Sequence, residues 1–253
     1  MGGIFDTHAH YMKSDFGEDL DKLLAELPSK NVARVLAVGC DIPSSTEEAA
    51  LAERYGYIYA AAGIHPEYAA DAPEGWEREL EGLLAREKVV ALGEIGLDYH
   101  YPEPPRGVQR GVFVRQLEMA KRLDMPVIIH SRDACADTMD ILRQYKPRGV
   151  LHCFSGSAET AREVVRLGMY IGFTGVLTFK NSKKACAACE AVPIDRLLLE
   201  TDCPYMAPVP HRGERCDSSM IAFTAAKMAE IKGVSTEEMI DVARENGERL
   251  FFK

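Results

Sequence analysis

Eight times along the 253 residues, a short apolar run gives way to a longer amphipathic stretch, and few folds accommodate that order. The apolar runs cover 4–7, 35–38, 57–62, 89–92, 127–129, 149–151, 170–173 and 197–199. Helical patterns at 19–27, 44–55, 76–86, 109–123, 134–145, 158–167 and 182–191 fall between them. Two more, 219–231 and 236–250, finish the chain, the last opened by a capping box at Ser235-Thr236-Glu237-Glu238. Most of the apolar runs are continuous rather than alternating, which predicts parallel strands covered by helices. Eight such units is the number that closes a (β/α)8 barrel of the TIM type. No Pro, Gly or Ser-rich linker divides the chain, so residues 1–253 read as a single barrel domain.

The formal net charge of −9 argues against a protein that coats nucleic acid non-specifically, which needs a basic balance. It leaves room for an enzyme that meets phosphates only at a local, metal-rich site. No segment approaches the ~18 uninterrupted apolar residues of a membrane span, and the start of the chain lacks a basic and apolar leader. A cytoplasmic location with no membrane partner is therefore expected, and no stable protein partner is predictable. The seven cysteines are scattered, and Cys186-Ala187-Ala188-Cys189 is a lone pair in an Ala-rich helical stretch. Without a second pair, free structural thiols are expected rather than a zinc or redox site.

The polar residues at the strand ends carry the chemistry. The first strand runs into Asp6-Thr7-His8-Ala9-His10, the fourth into Gly93-Glu94, the fifth into His130, the sixth into His152 and the eighth into Glu200-Thr201-Asp202. In a barrel these ends converge on one face, where active sites lie. His8 and His10, two apart on a strand, point the same way. A cluster of buried imidazoles and carboxylates is costly unless its members pair or bind metal. Six groups exceed the three protein ligands of a one-ion catalytic zinc, so two divalent ions are expected. Glu94 is the candidate to bridge them, because its strand lies between the others.

Several segments match a known pattern in order along the chain. They are Asp6-Thr7-His8-Ala9-His10, Gly63-Ile64-His65-Pro66, Gly93-Glu94-Ile95-Gly96-Leu97-Asp98-Tyr99, Ile129-His130-Ser131-Arg132-Asp133-Ala134, His152-Cys153-Phe154-Ser155-Gly156-Ser157 and Glu200-Thr201-Asp202-Cys203-Pro204-Tyr205. Phe173-Thr174-Gly175, Thr178-Phe179-Lys180-Asn181 and Pro208-Val209-Pro210-His211-Arg212-Gly213 continue it. Together they resemble the TatD family of metal-dependent deoxyribonucleases. The resemblance implies an amidohydrolase-like barrel, with His8, His10, Glu94 and Asp202 on one metal and Glu94, His130 and His152 on the second. It implies hydrolysis of phosphodiesters, often as 3′-to-5′ exonuclease action on DNA. It lapses after Arg212-Gly213, where Arg215-Cys216-Asp217-Ser218 replaces an Arg-Asn-Glu-Pro-like segment beside the expected substrate loop.

On this reading a hydroxide activated by the two metals attacks phosphorus, while Asp202, with Glu94 in the catalytic centre, orients the water and takes its proton. Asp98 is expected to orient a metal-binding His. Candidates to touch the substrate are His65, otherwise a hydrogen-bonded loop residue, Arg212, otherwise a solvated loop residue, and Lys180, otherwise a surface lysine. Arg132 and Asp133 are expected to form a local ion pair at a helix start, and His100 to be a loop residue. The ligands suit Zn, Mn, Co or Ni, and carboxylate-bearing sites also use Mg. A barrel hydrolase of small phosphate esters, lactones or amides is the alternative. Those relatives often bridge their metals with a carboxylated Lys, and no Lys stands at a strand tip here. A non-catalytic scaffold is disfavoured because all six ligands are present.

Overall fold

The structure, a computed structural model, describes residues 2–252, so the expected domain limits Met1 and Lys253 lie outside the described residues. Its single sheet holds eight parallel strands in sequence order: β1 (Ile4–Ala9), β2 (Val32–Val38), β3 (Ile58–Ala62), β4 (Val89–Asp98), β5 (Val127–Arg132), β6 (Gly149–Leu151), β7 (Tyr170–Phe173) and β8 (Leu197–Leu199). The helices are α1 (Lys13–Phe16), α2 (Leu20–Glu26), α3 (Ile42–Arg54), α4 (Trp76–Leu84), α5 (Arg106–Leu123), α6 (Cys135–Tyr145), α7 (Ala158–Arg166), α8 (Lys183–Ala191), α9 (Ile221–Lys232) and α10 (Thr236–Phe251). This is the TIM-barrel order that the sequence pattern predicts. Among the described residues, no helix is long and apolar enough to cross a membrane.

Short β8 forms no extended ladder with β1, and the seam closes at its upper end. Thr7 Oγ1 donates to the Leu199 carbonyl at 3.1 Å. The Asp202 N–H donates to the His8 carbonyl at 2.9 Å, and the His10 N–H to the Cys203 carbonyl at 2.8 Å. The bonds that close the barrel thus also fix the backbone of three polar residues on its upper face.

Side chains fill the interior below that face. Phe5, Leu36, Ala61, Ala91, Ile128, Val150, Tyr170 and Leu198, one from each strand, form a single buried cluster. Leu250 and Phe251 of α10 join it from below, with the Phe5 and Phe251 rings 6.2 Å apart edge to face. A second, larger core lies between the strands and the helices. Each fully buried Leu, Ile or Phe contributes roughly 1.5–3 kcal/mol of apolar burial, so the lower barrel is a rigid base.

Local signals fix the helix ends. Asp41 and Ser44 form a reciprocal capping box at α3, and Ser157 caps α7. Ser235 Oγ accepts from the Glu238 N–H at 3.1 Å at α10, with no return bond from the Glu238 carboxylate. The seven cysteines are free thiols, and Cys189 is buried in α8 packing.

Two strands run longer than their apolar cores predict. β4 continues through Glu94 to Asp98, and β5 through His130 to Arg132. Their register pairs Gly96 with His130. Gly96 has φ +144, and a Cβ there would run into the His130 carbonyl. The glycine lets the two strands stay close while Glu94 and Asp98, on the same face of β4, flank it.

Candidate metal centre

The extended strand ends bring the sequence-predicted ligands together. Glu94, almost fully buried, is the hub, and its two carboxylate oxygens face different partners. Oε2 lies 3.3 Å from His8 Nε2 and 3.7 Å from His10 Nε2. Oε1 lies 2.8 Å from His130 Nδ1, 2.7 Å from His152 Nε2 and 3.6 Å from His65 Nε2. Asp202 completes the first set, its Oδ1 3.7 Å from His8 Nε2 and 3.3 Å from His10 Nε2. The two imidazole nitrogens are 3.2 Å apart.

These separations suit a cation. Ligands about 2.1 Å from a common centre stand about 3.4 Å apart at the corners of a tetrahedron. His10 Nδ1 lies 2.7 Å from the Val38 carbonyl, which can only accept, so that nitrogen carries a proton. Burial opposes charge on this ring, but Cys40 and Asp202 outweigh it and hold the ring well above its usual value, so a cation at Nε2 would take the place of a second proton. Neither ring nitrogen of buried His152 has a hydrogen-bond partner, although Nε2 almost touches Glu94. Against their burial, the carboxylates raise both the His10 and His152 rings, so the site demands positive charge at these nitrogens, which protons or a metal cation can supply. Groups of His, Glu and Asp atoms close enough to hold metal occur as His8-His10-Glu94, His8-His152-Asp202 and His65-Glu94-His130.

Electrostatics points the same way. Burial alone raises a carboxyl, but the surrounding imidazoles, His152 foremost, hold Glu94 well below the usual range. Asp202 is held low against its burial by His10 and His8. Burial lowers the His8 ring to about 4, with His152 stacked on it at 3.9 Å between centroids, so His8 is neutral as a ligand must be. For His130, burial opposes charge, but Asp98 and Glu94 outweigh it and lift the ring to about 9. A cation at Nδ1 takes the place of that proton.

Supporting contacts set the orientations. Asp98 Oδ2 accepts from His130 Nε2 at 2.9 Å, and its Oδ1 accepts from the His100 N–H at 2.9 Å. The carboxylate therefore turns His130 Nδ1 toward Glu94. His65 Nδ1 accepts from the Glu67 N–H at 3.2 Å, and burial lowers the ring to about 3. The neutral ring then carries its proton on Nε2, and a donor rather than a lone pair points into the site. Asp202 has φ +58, a left-handed conformation that Asp tolerates better than most residues and that turns its side chain into the cavity.

Two buried carboxylates carry roles that the strand-tip pattern does not separate from ligation. Asp6 accepts from Thr201 Oγ1 at 2.6 Å, the Thr201 N–H at 3.0 Å and Ser218 Oγ at 2.7 Å, tying β1 to the loop that carries Asp202. Glu200 accepts from the Cys153 N–H at 2.9 Å behind His152, and burial pushes its carboxyl up to about 8. Gly172 leaves room for it, since a Cβ there would run into that carboxylate. Full burial next to a ligand is the signal that marks both, and it is invisible in a linear pattern.

The other expected residues fall apart spatially. The metal groups open into a cavity of about 890 Å³ lined by His10, His65, Glu94, Asp98, His130, His152 and Asp202 among others. Lys180 is exposed and lines a separate depression beside α8. Arg212 lies with its guanidinium 3.8 Å from the centre of the Phe179 ring, away from the metal groups. Tyr205 and Met206 of the same loop line the cavity, but neither Arg212 nor Lys180 does. The expected Arg132–Asp133 ion pair does not form. Asp133, in a left-handed turn, pairs with His100 Nδ1 at 3.0 Å, and Arg132 lies over the Tyr101 ring. Helix α6 starts only at Cys135.

The divergent segment 215–218 is split: Arg215 is exposed, whereas Cys216 and Ser218 turn inward. Cys216 and Ser218 are buried, Ser218 bonded to Asp6 and to the Tyr11 hydroxyl. Arg215 binds the Phe16 carbonyl. None of the four lines the cavity.

A family model described as TatD related DNase matches residues 5–252. The metal-dependent hydrolase YabD of Bacillus subtilis is 42% identical over 251 residues, 98% of each chain. The 3′-5′ ssDNA/RNA exonuclease TatD of Cronobacter sakazakii is 32% identical, covering 99% of this chain and 98% of its own. The crystal structure of YjjV, a TatD homologue from Escherichia coli, superposes with a TM-score of 0.90 at 32% identity, covering 98% of this chain and 97% of that one.

Proposed function

The chain belongs to the TatD-related DNase family of metal-dependent hydrolases, and from that premise we propose that it hydrolyses phosphodiester bonds of single-stranded DNA from the 3′ end. The observation that carries this reading is the division of Glu94 between two sets of ligands, Oε2 toward His8 and His10, Oε1 toward His130 and His152. A carboxylate so placed suits two divalent ions, one with His8, His10 and Asp202, the other with His130 and His152. Paired ions of this kind depress the pKa of water and offset the charge that builds on a phosphate under attack. Four imidazoles with two carboxylates suit Zn²⁺, Mn²⁺, Co²⁺ or Ni²⁺ better than Mg²⁺, which prefers oxygen.

The protein's own groups then have distinct tasks. Asp202 is anionic, lines the cavity and turns one oxygen to His8 and His10. Its Oδ2 makes no hydrogen bond to the described residues and is the acceptor for the proton of the attacking water. His65, neutral with Nε2–H aimed at the same space, donates to a phosphate oxygen. Asp98 holds His130 in the orientation its role requires.

The test is metal-stripped protein assayed on 5′-labelled and 3′-labelled single-stranded DNA with Zn²⁺, Mn²⁺ or Mg²⁺ restored, beside Glu94→Ala. Metal-dependent shortening from the 3′ end by the parent alone is expected. Metal binding without any DNA cleavage would move the substrate to a small ester or amide.

A further inference from the structure

We propose that Tyr68, Tyr101 and Tyr205 form a platform for nucleobases, so that a strand end is gripped by stacking its bases rather than by tracking its phosphates. This rests on the phosphodiester reading above. The three rings come from three separate loops, after β3, β4 and β8, and all line the cavity that holds Glu94. They are 42%, 51% and 58% exposed. Of the eight exposed large apolar side chains among the described residues, these three and Met206 sit on this one rim. Half of the exposed apolar bulk gathered at one mouth marks a ligand surface rather than scatter.

Flat rings beside a phosphate-cleaving centre suit flat bases, since every base has a π-face to stack. The Arg132 guanidinium lies 5.4 Å from the Tyr101 ring centre, a cation–π pair that a base extends. Charge excludes the opposite mode of binding. Arg132 is the permanently cationic residue among the described lining, while Asp15, Asp41 and Glu67 line the same cavity. An acidic rim repels a long run of phosphates and leaves neutralisation to the centre itself. The volume of about 890 Å³ lies in the range of small-ligand pockets, and a duplex, with its bases paired inward, offers the rings little to stack on.

The experiment uses the metal-loaded enzyme and a 5′-fluorescein single-stranded 12-mer, either complete or abasic at its two 3′-terminal positions. Parent, Tyr101→Ala, Tyr205→Ala and Tyr205→Phe are compared for KM, kcat and metal content. Each Ala variant is expected to raise KM for the complete strand on the order of 10-fold. Metal content should hold, and Tyr205→Phe should match the parent. The abasic strand should show the raised KM with the parent and little further loss with the Ala variants. The slope of log(1/KM) against log salt should be shallow, near about −0.7, as for a single phosphate contact. Parent-like KM in the Ala variants with normal cleavage would overturn the platform and leave the nuclease reading intact. No cleavage of either strand by the metal-loaded parent would overturn the nuclease reading beneath it.

Discussion

Replacing Asp98 with asparagine removes one charge and almost no volume, and its effect can be worked out from two bonds. Asp98 accepts from His130 Nε2 with one oxygen and from the His100 N–H with the other, each at 2.9 Å. Both partners are donors, so the NH₂ of the new amide must face one of them. If it faces His100, a bond is lost there and His130 keeps only a neutral acceptor. A charge-assisted bond contributes about 1.5–3 kcal/mol and a neutral one about 0.5–1.5, so the loss at His130 alone is roughly 1–1.5 kcal/mol, with the His100 bond lost in addition. If the NH₂ faces His130, the ring must accept through Nε2. Its proton then sits on Nδ1, aimed at Glu94, and the lone pair for a metal is gone. Either way the ion beside His130 should bind about 10–100-fold more weakly, as expected for the partner of a metal-binding histidine. The site of His8, His10 and Asp202 should be little changed. Calorimetric titration of the metal-free protein with Zn²⁺ or Mn²⁺ would then show one tight and one weakened event. Two events of parental affinity in Asp98→Asn would refute the reasoning.

Three other perturbations test the framework around the centre. Ser218→Ala takes one partner from fully buried Asp6 and should cost about 1–3 kcal/mol in urea unfolding; a loss below about 0.5 kcal/mol would show that the contact carries little. Gly172→Ala drives a methyl into the Glu200 carboxylate and should cost about 1–3 kcal/mol, seen as a fall of roughly 3–10 °C in Tm, whereas an unchanged Tm would mean that the site relaxes freely. Burial pushes the Glu48 carboxyl up to about 8 from 4.5. Because the folded value lies above the unfolded one, stability linked to this group is full below pH 4.5 and declines as pH rises toward 8. Glu48→Gln should therefore gain on the parent between about pH 5 and pH 8 by on the order of 2–4 kcal/mol, and parallel pH profiles would contradict this.

The parts of this account legible in the sequence are those governed by periodicity. Apolar runs place all eight strands, and the polar residues beyond them name the groups around Glu94. What the sequence hides is set by contacts between distant segments. The apolar part of β4 stops at Leu92, yet pairing with β5 carries the strand to Asp98, with Gly96 allowing the close approach. Asp6 and Glu200 stand in the same strand-end runs as the ligands, and their burial and hydrogen bonds place them as supports. Lys180 and Arg212 stand beside the right motifs, but Lys180 lines a separate depression and Arg212 lies over the Phe179 ring, so neither reaches the cavity. The Arg215-Cys216-Asp217-Ser218 departure lies next to the expected substrate loop in sequence, and its Ser218 turns inward in space to Asp6 and Tyr11.

Glu94 is proposed to lie between two divalent ions. Crystals grown with Mn²⁺ or Zn²⁺ and measured at the metal absorption edge test it most directly. Two anomalous peaks are expected, one on each side of the Glu94 carboxylate and about 3.5–4 Å apart. The first should lie against His8, His10 and Asp202, the second against His130 and His152. A single peak, or two peaks that do not share Glu94, would contradict the account.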